Sequence, residues 1–175
     1  MNRTTASEGT VMQDRSTVDR TSDRELVVER TIRGPSRIVF DAWTKPELFQ
    51  RWWVPRSFPI SLLSCELDVR VGGRYRLVFA HEDSTMEFFG RYLEVTPPSL
   101  LAWTNDEGDD GGPITTVTFE DLGARTRVVV HDLYPSKEAL DDAIASGSAG
   151  INAMPESLEQ LEELLLTLDT SAGGS

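Results

Sequence analysis

The stretch VFDAWTKPELFQRWW, residues 39–53, is the part of this sequence that most narrows the choice of fold. Its apolar side chains recur at helical spacing on both sides of Pro46, and proline is well tolerated in the first turn of a helix. The pattern predicts one short helix that ends near Thr44 and a second that begins at Pro46. The second would present one apolar stripe, formed by Leu48, Phe49, Trp52 and Trp53. Helices this short and this aromatic need a larger apolar surface to pack against.

Strand patterns surround this helical stretch. Before it, Leu26, Val28 and Ile32 share one parity, which predicts a strand that begins near Glu25. After it, runs of strand-forming residues alternate with turn signals such as Gly72-Gly73. The strands predicted from these runs span about 62–69, 73–80, 85–96, 100–106, 114–121 and 125–134. Successive strands with short turns and no helix between them predict an antiparallel meander.

The C-terminal part of the chain predicts two further helices. Ser136 is placed to cap a helix over residues 137–145, and the glycines at 147 and 150 weaken its continuation. A final helix, with Pro155 in its first turn, carries an apolar stripe at alternating steps of three and four residues: Ile151, Met154, Leu158, Leu161, Leu165 and Leu168. Its opposite face is predicted to be solvated and carries Glu156, Glu159, Glu162 and Glu163.

Together these elements predict an α+β fold. A sheet with one apolar face needs cover, and the final helix is the long element available to provide it. The predicted architecture is a curved antiparallel sheet wrapped around the long C-terminal helix, with two short helices after the first strand closing one mouth of the groove. Residues 24–169 would form this domain, between a disordered N-terminal tail at 1–23 and a flexible C-terminal tail at 170–175.

The composition disfavours several classes of function. The net charge is −12 and the pI is about 4.6, so the surface repels phosphate backbones and anionic membranes on average. No stretch approaches the roughly 18 apolar residues of a membrane-spanning helix, and the N-terminus lacks the apolar centre of a secretory signal. A single cysteine, Cys65, excludes an internal disulfide and is typical of a reducing compartment. The sequence therefore predicts a cytoplasmic globular domain that binds neither nucleic acid nor membranes.

The motifs as a set resemble the START-like, or SRPBCC, superfamily, and within it the bacterial proteins related to the activator of the heat-shock chaperone ATPase. The segments that carry the resemblance are Phe40–Thr44, Pro46-Glu47, Trp52-Trp53 with Pro55, Arg70, Gly72-Gly73, Tyr75, Gly90–Pro98, Leu101, Thr104, Thr116–Phe119, Gly123 and Thr126. The resemblance covers roughly residues 25–169. It implies a helix-grip fold with an elongated, mostly apolar cavity between the sheet and the C-terminal helix. Superfamily members bind lipids, sterols, polyketides or other hydrophobic molecules, and a minority catalyse cyclisation, dehydration or hydrolysis.

The aromatic residues of the strands and of the segment after the short helices fit either a solid core or a cavity wall, and a minority of them is expected to line the cavity. The predicted ligand-binding residues are Trp52, Trp53, Phe58, Tyr75, Phe79, Phe88, Trp103, His131, Ile151 and Met154. Tyrosine and tryptophan suit such a wall because a polar tip on an apolar ring can orient a ligand. Met154 stands where many relatives carry a tryptophan in the final helix, so the shape of the pocket is expected to differ at that point.

The sequence assigns no catalytic residue, cofactor or metal ligand. Two histidines cannot supply a three-imidazole zinc site, and no Cys-x-x-Cys pair is present. His131 is either a general base facing the cavity or a strand histidine held by a neighbour. Cys65 is interpreted as a buried, inert thiol. Two roles are possible for Arg70, Arg74, Arg76 and Arg91. Each guanidinium could hold a ligand carboxylate, or it could pair with Glu66, Glu87 or Glu94.

The function favoured by the sequence is binding of a small hydrophobic ligand in the predicted cavity. Two alternatives stay open at this stage. One is a cyclase- or hydrolase-like activity in the same cavity, through His131, Tyr75 or an arginine. The other is an interaction protein whose surface contacts a chaperone. A homodimer is also compatible with the sequence.

Overall fold

The computed structural model describes residues 16–106, 112–146 and 153–173. Within these ranges the chain forms eight strands and four helices. The strands are β1 (Thr17–Ser22), β2 (Glu25–Arg33), β3 (Ser61–Leu67), β4 (Arg74–His81), β5 (Ser84–Thr96), β6 (Leu100–Thr104), β7 (Ile114–Asp121) and β8 (Arg125–Leu133). The helices are α1 (Ser36–Thr44), α2 (Pro46–Phe49), α3 (Lys137–Ser146) and α4 (Ala153–Gly173).

All eight strands belong to one antiparallel sheet with the order β1-β2-β8-β7-β6-β5-β4-β3. The meander predicted from β3 to β8 is confirmed, because each of these strands pairs with the next one along the chain. The first predicted strand, β2, returns to pair with β8 over nine residue pairs from Glu25↔Leu133 to Arg33↔Arg125. The sheet curves around the final helix, and the predicted α+β helix-grip architecture is therefore confirmed.

The boundaries of the predicted tails need correction. Residues 17–22, assigned to a disordered tail, form β1 and pair with β2 from Thr17↔Glu29 to Ser22↔Glu25. Most β1 side chains are exposed, so the strand depends on backbone hydrogen bonds and leaves no apolar period in the sequence. At the other end, α4 continues to Gly173, beyond the predicted domain boundary at residue 169. Residues 1–15 and 174–175 lie outside the described residues.

The helices show how the core is filled. Helix α1 ends at Thr44 as predicted, whereas α2 ends at Phe49 and the chain then continues through turns to Ile60. Ser136 caps α3 as predicted, with its Oγ accepting a hydrogen bond from Ala139 N at 3.0 Å. Helix α4 packs mainly against β2 and also against α1. The side chains that fill this part of the groove completely include Trp43, Trp52, Val117, Val128, Leu158 and Leu161.

The acidic face of α4 is solvated as predicted at Glu159 and Glu163, whereas Glu162 departs from the prediction. Glu162 is buried and accepts a hydrogen bond from Arg30 Nη2 at 2.8 Å and from Arg33 N at 3.0 Å. Glu156 and Glu163 contact the loop after α2, and Glu159 is exposed. A buried carboxylate is tolerated here because a guanidinium and a backbone N–H together replace its hydration. The face therefore fixes the helix to β2 and to that loop.

Candidate functional site

A cavity of about 830 Å³ lies between the sheet and α4. Its volume falls in the range of about 300–1,000 Å³ that is typical of small-molecule sites. The cavity exists because α4 changes along its length: Leu158 and Leu161 fill the groove, whereas Ala153 and Ser157, one turn earlier, leave it open. Most lining side chains are apolar, and they come from β4, β5, β6, β8, α3, α4 and the loop after α2.

The loop over residues 53–60, here called the cavity loop, supplies one wall: Trp53, Val54, Pro55, Phe58, Pro59 and Ile60. Polar side chains of α4 hold this loop in place. Ser157 Oγ donates to Trp53 O at 2.7 Å, and Gln160 Nε2 donates to Val54 O at 2.8 Å and to Trp52 O at 3.0 Å. Gln160 Oε1 also accepts from Arg56 N at 2.8 Å. The helix and the loop thus form one hydrogen-bonded unit.

Seven of the ten predicted ligand-binding residues lie on the cavity wall: Trp53, Phe58, Tyr75, Phe79, Phe88, Trp103 and Met154. Trp52 does not line it, because its side chain is fully buried in the core and its Nε1 donates to Ala42 O at 2.9 Å. His131 does not line it either, for a reason given below. Ile151 lies outside the described residues. Tyr92, Tyr134 and Trp43, which sequence reasoning did not single out as ligand-binding, do line the cavity.

The phase of β8 explains why His131 is misplaced in the prediction. Val128 and Val130 are buried against the core, so Asp132 follows on the same inward parity and His131 on the outward one. His131 Nε2 instead lies 2.8 Å from Glu25 Oε2 on the outer face. This corresponds to the second of the two interpretations offered above, a strand histidine held by a neighbour. A weak signal for Asp132 was present in the sequence, because His131 shares its strand parity with Arg125 and Arg127, whereas Asp132 shares the parity of Val128 and Val130.

Asp132 belongs to a row of inward side chains that crosses the sheet. Strand registry places Asp132 opposite Thr115, Thr115 opposite Trp103, and Trp103 opposite Tyr92. Directly opposed residues of an antiparallel pair point to the same face, so these four side chains are neighbours. All four line the cavity. Two polar groups at one end of the row thus meet two aromatic rings at the other.

A chain of hydrogen bonds leads to the Asp132 carboxyl. Tyr75 Oη donates to Thr104 O at 2.7 Å and lies 3.2 Å from Asn105 Oδ1. Asn105 Nδ2 lies 3.1 Å from Thr115 Oγ1, and Thr115 Oγ1 donates to Asp132 Oδ1 at 2.6 Å. The two bonds from Asn105 to Thr115 and from Thr115 to Asp132 point in one direction, so these donors polarise one another towards the carboxyl, whereas Tyr75 gives its one hydroxyl proton to Thr104 O. The second carboxyl oxygen, Oδ2, has no donor among the described residues.

The electrostatic setting of Asp132 is unusual for a carboxyl. Burial raises its pKa to about 6, although the hydrogen bond from Thr115 and the nearby His131 lower it. Asp132 is partly buried, and part of its side-chain surface remains open. Because Asp132 lines the cavity, this open part faces the cavity space, and protein atoms enclose the rest. No lysine or arginine is present among the described residues that line the cavity, and His81 is a lining residue with a partly exposed side chain. The carboxyl therefore has no lysine or arginine as a neighbour among the described residues of the cavity wall.

The arginines and the cysteine weighed from the sequence do not line the cavity. The side chains of Arg74 and Arg76 alternate with Tyr75 and Leu77 and point outward, and Arg76 pairs with Glu87 and Glu66. Arg70 pairs with Asp68 at 3.0 Å. Burial raises the pKa of the half-buried Cys65 thiol to about 11, which makes it a poor nucleophile. Among the described residues, no three side chains of His, Cys, Asp or Glu converge as a metal site would require.

Trp43 lines the cavity through its ring, whereas its indole N–H is buried away from the cavity space. Trp43 is almost fully buried, and its Nε1–H has no acceptor among the described residues. A buried donor without a partner costs roughly 1–3 kcal/mol. Its neighbour Trp52, 4.8 Å away between ring centroids, has the partner that Trp43 lacks. The unpartnered donor thus lies on the core side of a ring that borders the cavity.

A curved antiparallel sheet that grips a long C-terminal helix around a cavity defines a START-like, helix-grip protein. More narrowly, the family model described as Activator of Hsp90 ATPase homolog 1-like protein matches residues 33–165. The match spans well over half of the chain, and the protein belongs to this family. A comparison with curated proteins found no match.

Solved structures of bacterial proteins share the fold. A protein from Nitrosomonas europaea is 23% identical, with a TM-score of 0.75, over 86% of this chain and 99% of its own. One from Rhodobacter sphaeroides is 19% identical, with a TM-score of 0.76, over 87% and 99%. An AHSA1-like protein from Aeromonas hydrophila is 21% identical, with a TM-score of 0.66, over 83% and 94%. In the part of the chain that the structure describes, no helix is long and apolar enough to cross a membrane.

Proposed function

We propose that this protein binds a small hydrophobic molecule in the cavity between the sheet and α4. The observation that carries the proposal is the cavity itself, about 830 Å³ with a predominantly apolar, aromatic wall. Apolar surface that a protein leaves unfilled is costly, since close packing is the rule in protein interiors. A ligand would restore these contacts and remove apolar surface from water. The START-like fold is commonly a ligand-binding fold, which agrees with this reading.

Fluorescence provides a direct test, because the chain has four tryptophans and three of them line the cavity. A neutral hydrophobic dye such as Nile red is expected to bind with a blue-shifted emission and to change the tryptophan emission. Ala143→Phe should abolish or strongly weaken this binding, since Ala143 lines the cavity and the added ring would occupy it. The matched control is Ala145→Phe, which adds the same ring at an exposed position of the same helix.

The outcomes separate the proposal from its alternatives. Equal binding of the dye by the two variants would show that it sits elsewhere and would contradict the proposal. Mass spectrometry of gently purified protein gives an independent reading, since a co-purifying molecule that Ala143→Phe loses would identify the natural ligand. Absence of any ligand, together with an intact chaperone complex in pull-downs, would favour the interaction protein considered above.

Catalysis inside the same cavity is a second candidate, and Asp132 is the observation that favours it. A carboxyl with a pKa of about 6 in an enclosed site has the properties of a general base near neutral pH. His131 and the outward arginines, proposed from the sequence as alternatives, do not reach the cavity. If the co-purified molecule is converted to a new product by wild type and left unchanged by Asp132→Asn, the protein is an enzyme.

A further inference from the structure

The cavity wall has an uneven distribution of charge that restricts which hydrophobic molecules fit. Asp132 lies on β8, and each element packed around it contributes a known group. Leu26 faces it from β2 and Thr115 from β7, and Tyr134 lies two residues further along the chain, just after β8. Helix α3 contributes Ala139 and Ala143 to the adjoining wall, while His131 points to the opposite face of the sheet. None of these groups is a cation on the cavity side.

The carboxyl is built into the wall with one oxygen committed and one free. Oδ1 accepts the Thr115 hydroxyl at 2.6 Å, and that hydroxyl is itself oriented by Asn105. Oδ2 has no donor among the described residues, while the open surface of the side chain faces the cavity. A carboxylate enclosed by protein is stabilised strongly by a donor that replaces lost water, and most strongly by a charged donor. Oδ2 is thus a hydrogen-bond acceptor without a donor among the described residues, in a cavity whose wall is mostly apolar.

We infer that the cavity selects hydrophobic amines, with the protonated nitrogen donating to Asp132 Oδ2 and the apolar body lying against the aromatic wall. Three observations support this choice over other amphiphiles. A fatty-acid carboxylate would meet a second negative charge at Asp132 and find no lysine or arginine among the described lining residues. A neutral alcohol would satisfy Oδ2 with a weaker hydrogen bond. The acidic surface, with a net charge of −12, also attracts cations. This inference rests on the proposed function and names the ligand class for the same cavity.

The test compares head groups on one apolar chain. Decylamine, decanol and decanoate, each below its micelle-forming concentration and at constant ionic strength, compete with Nile red for wild-type protein. The expected order of affinity is amine, then alcohol, then carboxylate, with the amine about ten-fold or more above the carboxylate. This ranking in the unaltered protein tests the inference without any variant.

Variants then locate the selectivity. Asp132→Asn keeps an acceptor for Thr115 and removes the charge, and it is expected to reduce decylamine affinity about ten-fold relative to decanol, with both measured on the same variant. Asp19→Asn is the matched control, because it removes one charge from an exposed position on β1. It should leave the ranking of the three head groups unchanged.

The results distinguish failure of this inference from failure of the proposed function. If Nile red binds but the three head groups compete equally, or decanoate competes best, the selectivity for amines is overturned and the ligand-binding cavity stands. Equal loss of the amine preference in Asp19→Asn and Asp132→Asn would assign it to overall charge and also overturn the inference. If Nile red fails to bind wild type, both proposals fall together.

Discussion

The two ends of the groove under the sheet differ in how α4 fills them. At one end, here called the packed end, Leu158 and Leu161 are fully buried against Val117 and Val128. At the other, here called the hollow end, Ala153, Met154 and Ser157 border the cavity. The same helix and the same sheet build both ends, so side-chain size along one helix decides where the protein is solid and where it is empty. The difference separates the residues that stabilise the fold from those available for function.

The adjacent residues Trp52 and Trp53 show the same contrast on a smaller scale. Trp52 is fully buried and hydrogen-bonded to Ala42 O, whereas Trp53 is half-buried and lines the cavity. Trp53 also stacks on Phe49, with ring centroids 4.6 Å apart. A helical turn that ends between the two residues sends one ring into the core and the other to the wall. The two adjacent tryptophans therefore have different roles, one in the packed core and the other on the cavity wall.

The largest expected effect comes from comparing a deletion at each end. Leu161→Ala should lower the free energy of unfolding by about 3 kcal/mol, because it opens a void in a filled core. Met154→Ala should lower it by about 1 kcal/mol or less, because the methionine already borders empty space. Urea unfolding of both variants measures the difference. Equal losses would show that the hollow end is packed as tightly as the packed end, and would break the comparison.

The pH dependence of stability tests the charge in the hollow end. Asp132 has a folded pKa of about 6 against about 3.9 when unfolded, so the folded state binds the proton more tightly between these values. The contribution of Asp132 to the free energy of unfolding therefore rises as the pH falls from about 7 to about 4. Asp132→Asn removes that dependence and should be more stable than wild type at pH 7 by about 2 kcal/mol, a gap that closes near pH 4. A gap of the same size at both pH values would show that burial does not perturb this carboxyl.

A smaller change in stability is expected when the hollow end is filled. Met154→Trp places the residue of many relatives on the cavity wall, and it should change the free energy of unfolding by no more than about 1–3 kcal/mol, the usual range for overpacking. Binding of large hydrophobic ligands should weaken, while small ones are affected less. Titration with Nile red against a smaller dye measures this. Unchanged affinity for both would indicate that Met154 does not contribute to the ligand site.

The smallest effect should come from the edge of the sheet, which belongs to neither end. Deletion of residues 1–15 is expected to leave the melting temperature nearly unchanged, since this segment offers few apolar side chains that could stabilise the domain. Deletion of residues 1–23 removes β1, its pairing with β2 and the Arg20–Asp141 ion pair, and should cost about 1 kcal/mol. Thermal melting of the two truncations separates them. Identical melting temperatures would show that β1 does not stabilise the domain.

The fold was largely predictable because its signals are repeated along the chain. Six strands from β3 to β8 alternate regularly between short turns, and the stripe through Leu158, Leu161 and Leu165 requires a surface to cover. Helix α1 and the position of Pro155 within the first turn of α4 also follow from local rules. Strand β1 could not be found this way, because its exposed side chains carry no period and its partner is set by topology.

The site was predictable in part, and the errors have one physical origin. Composition shows that a residue is aromatic or titratable, but the direction of its side chain depends on the phase of its element. His131 and Asp132 differ by one position on β8 and point to opposite faces. Glu162 likewise pairs with Arg30 across 132 positions of sequence, a contact that no local pattern encodes. The type of a residue thus indicated a possible role in the site, whereas the direction of its side chain was established by the tertiary structure.

The attachment of the cavity loop to α4 has a kinetic consequence. Four hydrogen bonds join side chains of Ser157, Gln160 and Glu156 to the backbone of residues 53–57. Lifting this loop would break several of these bonds at once, so that route into the cavity has a high barrier. The β4–β5 hairpin has no such attachment in the part of the chain that the structure describes, and its half-exposed Met86 and Phe88 line the cavity. If the proposed ligand binds, we expect it to enter and leave on the hairpin side, where side-chain movements alone could open a path.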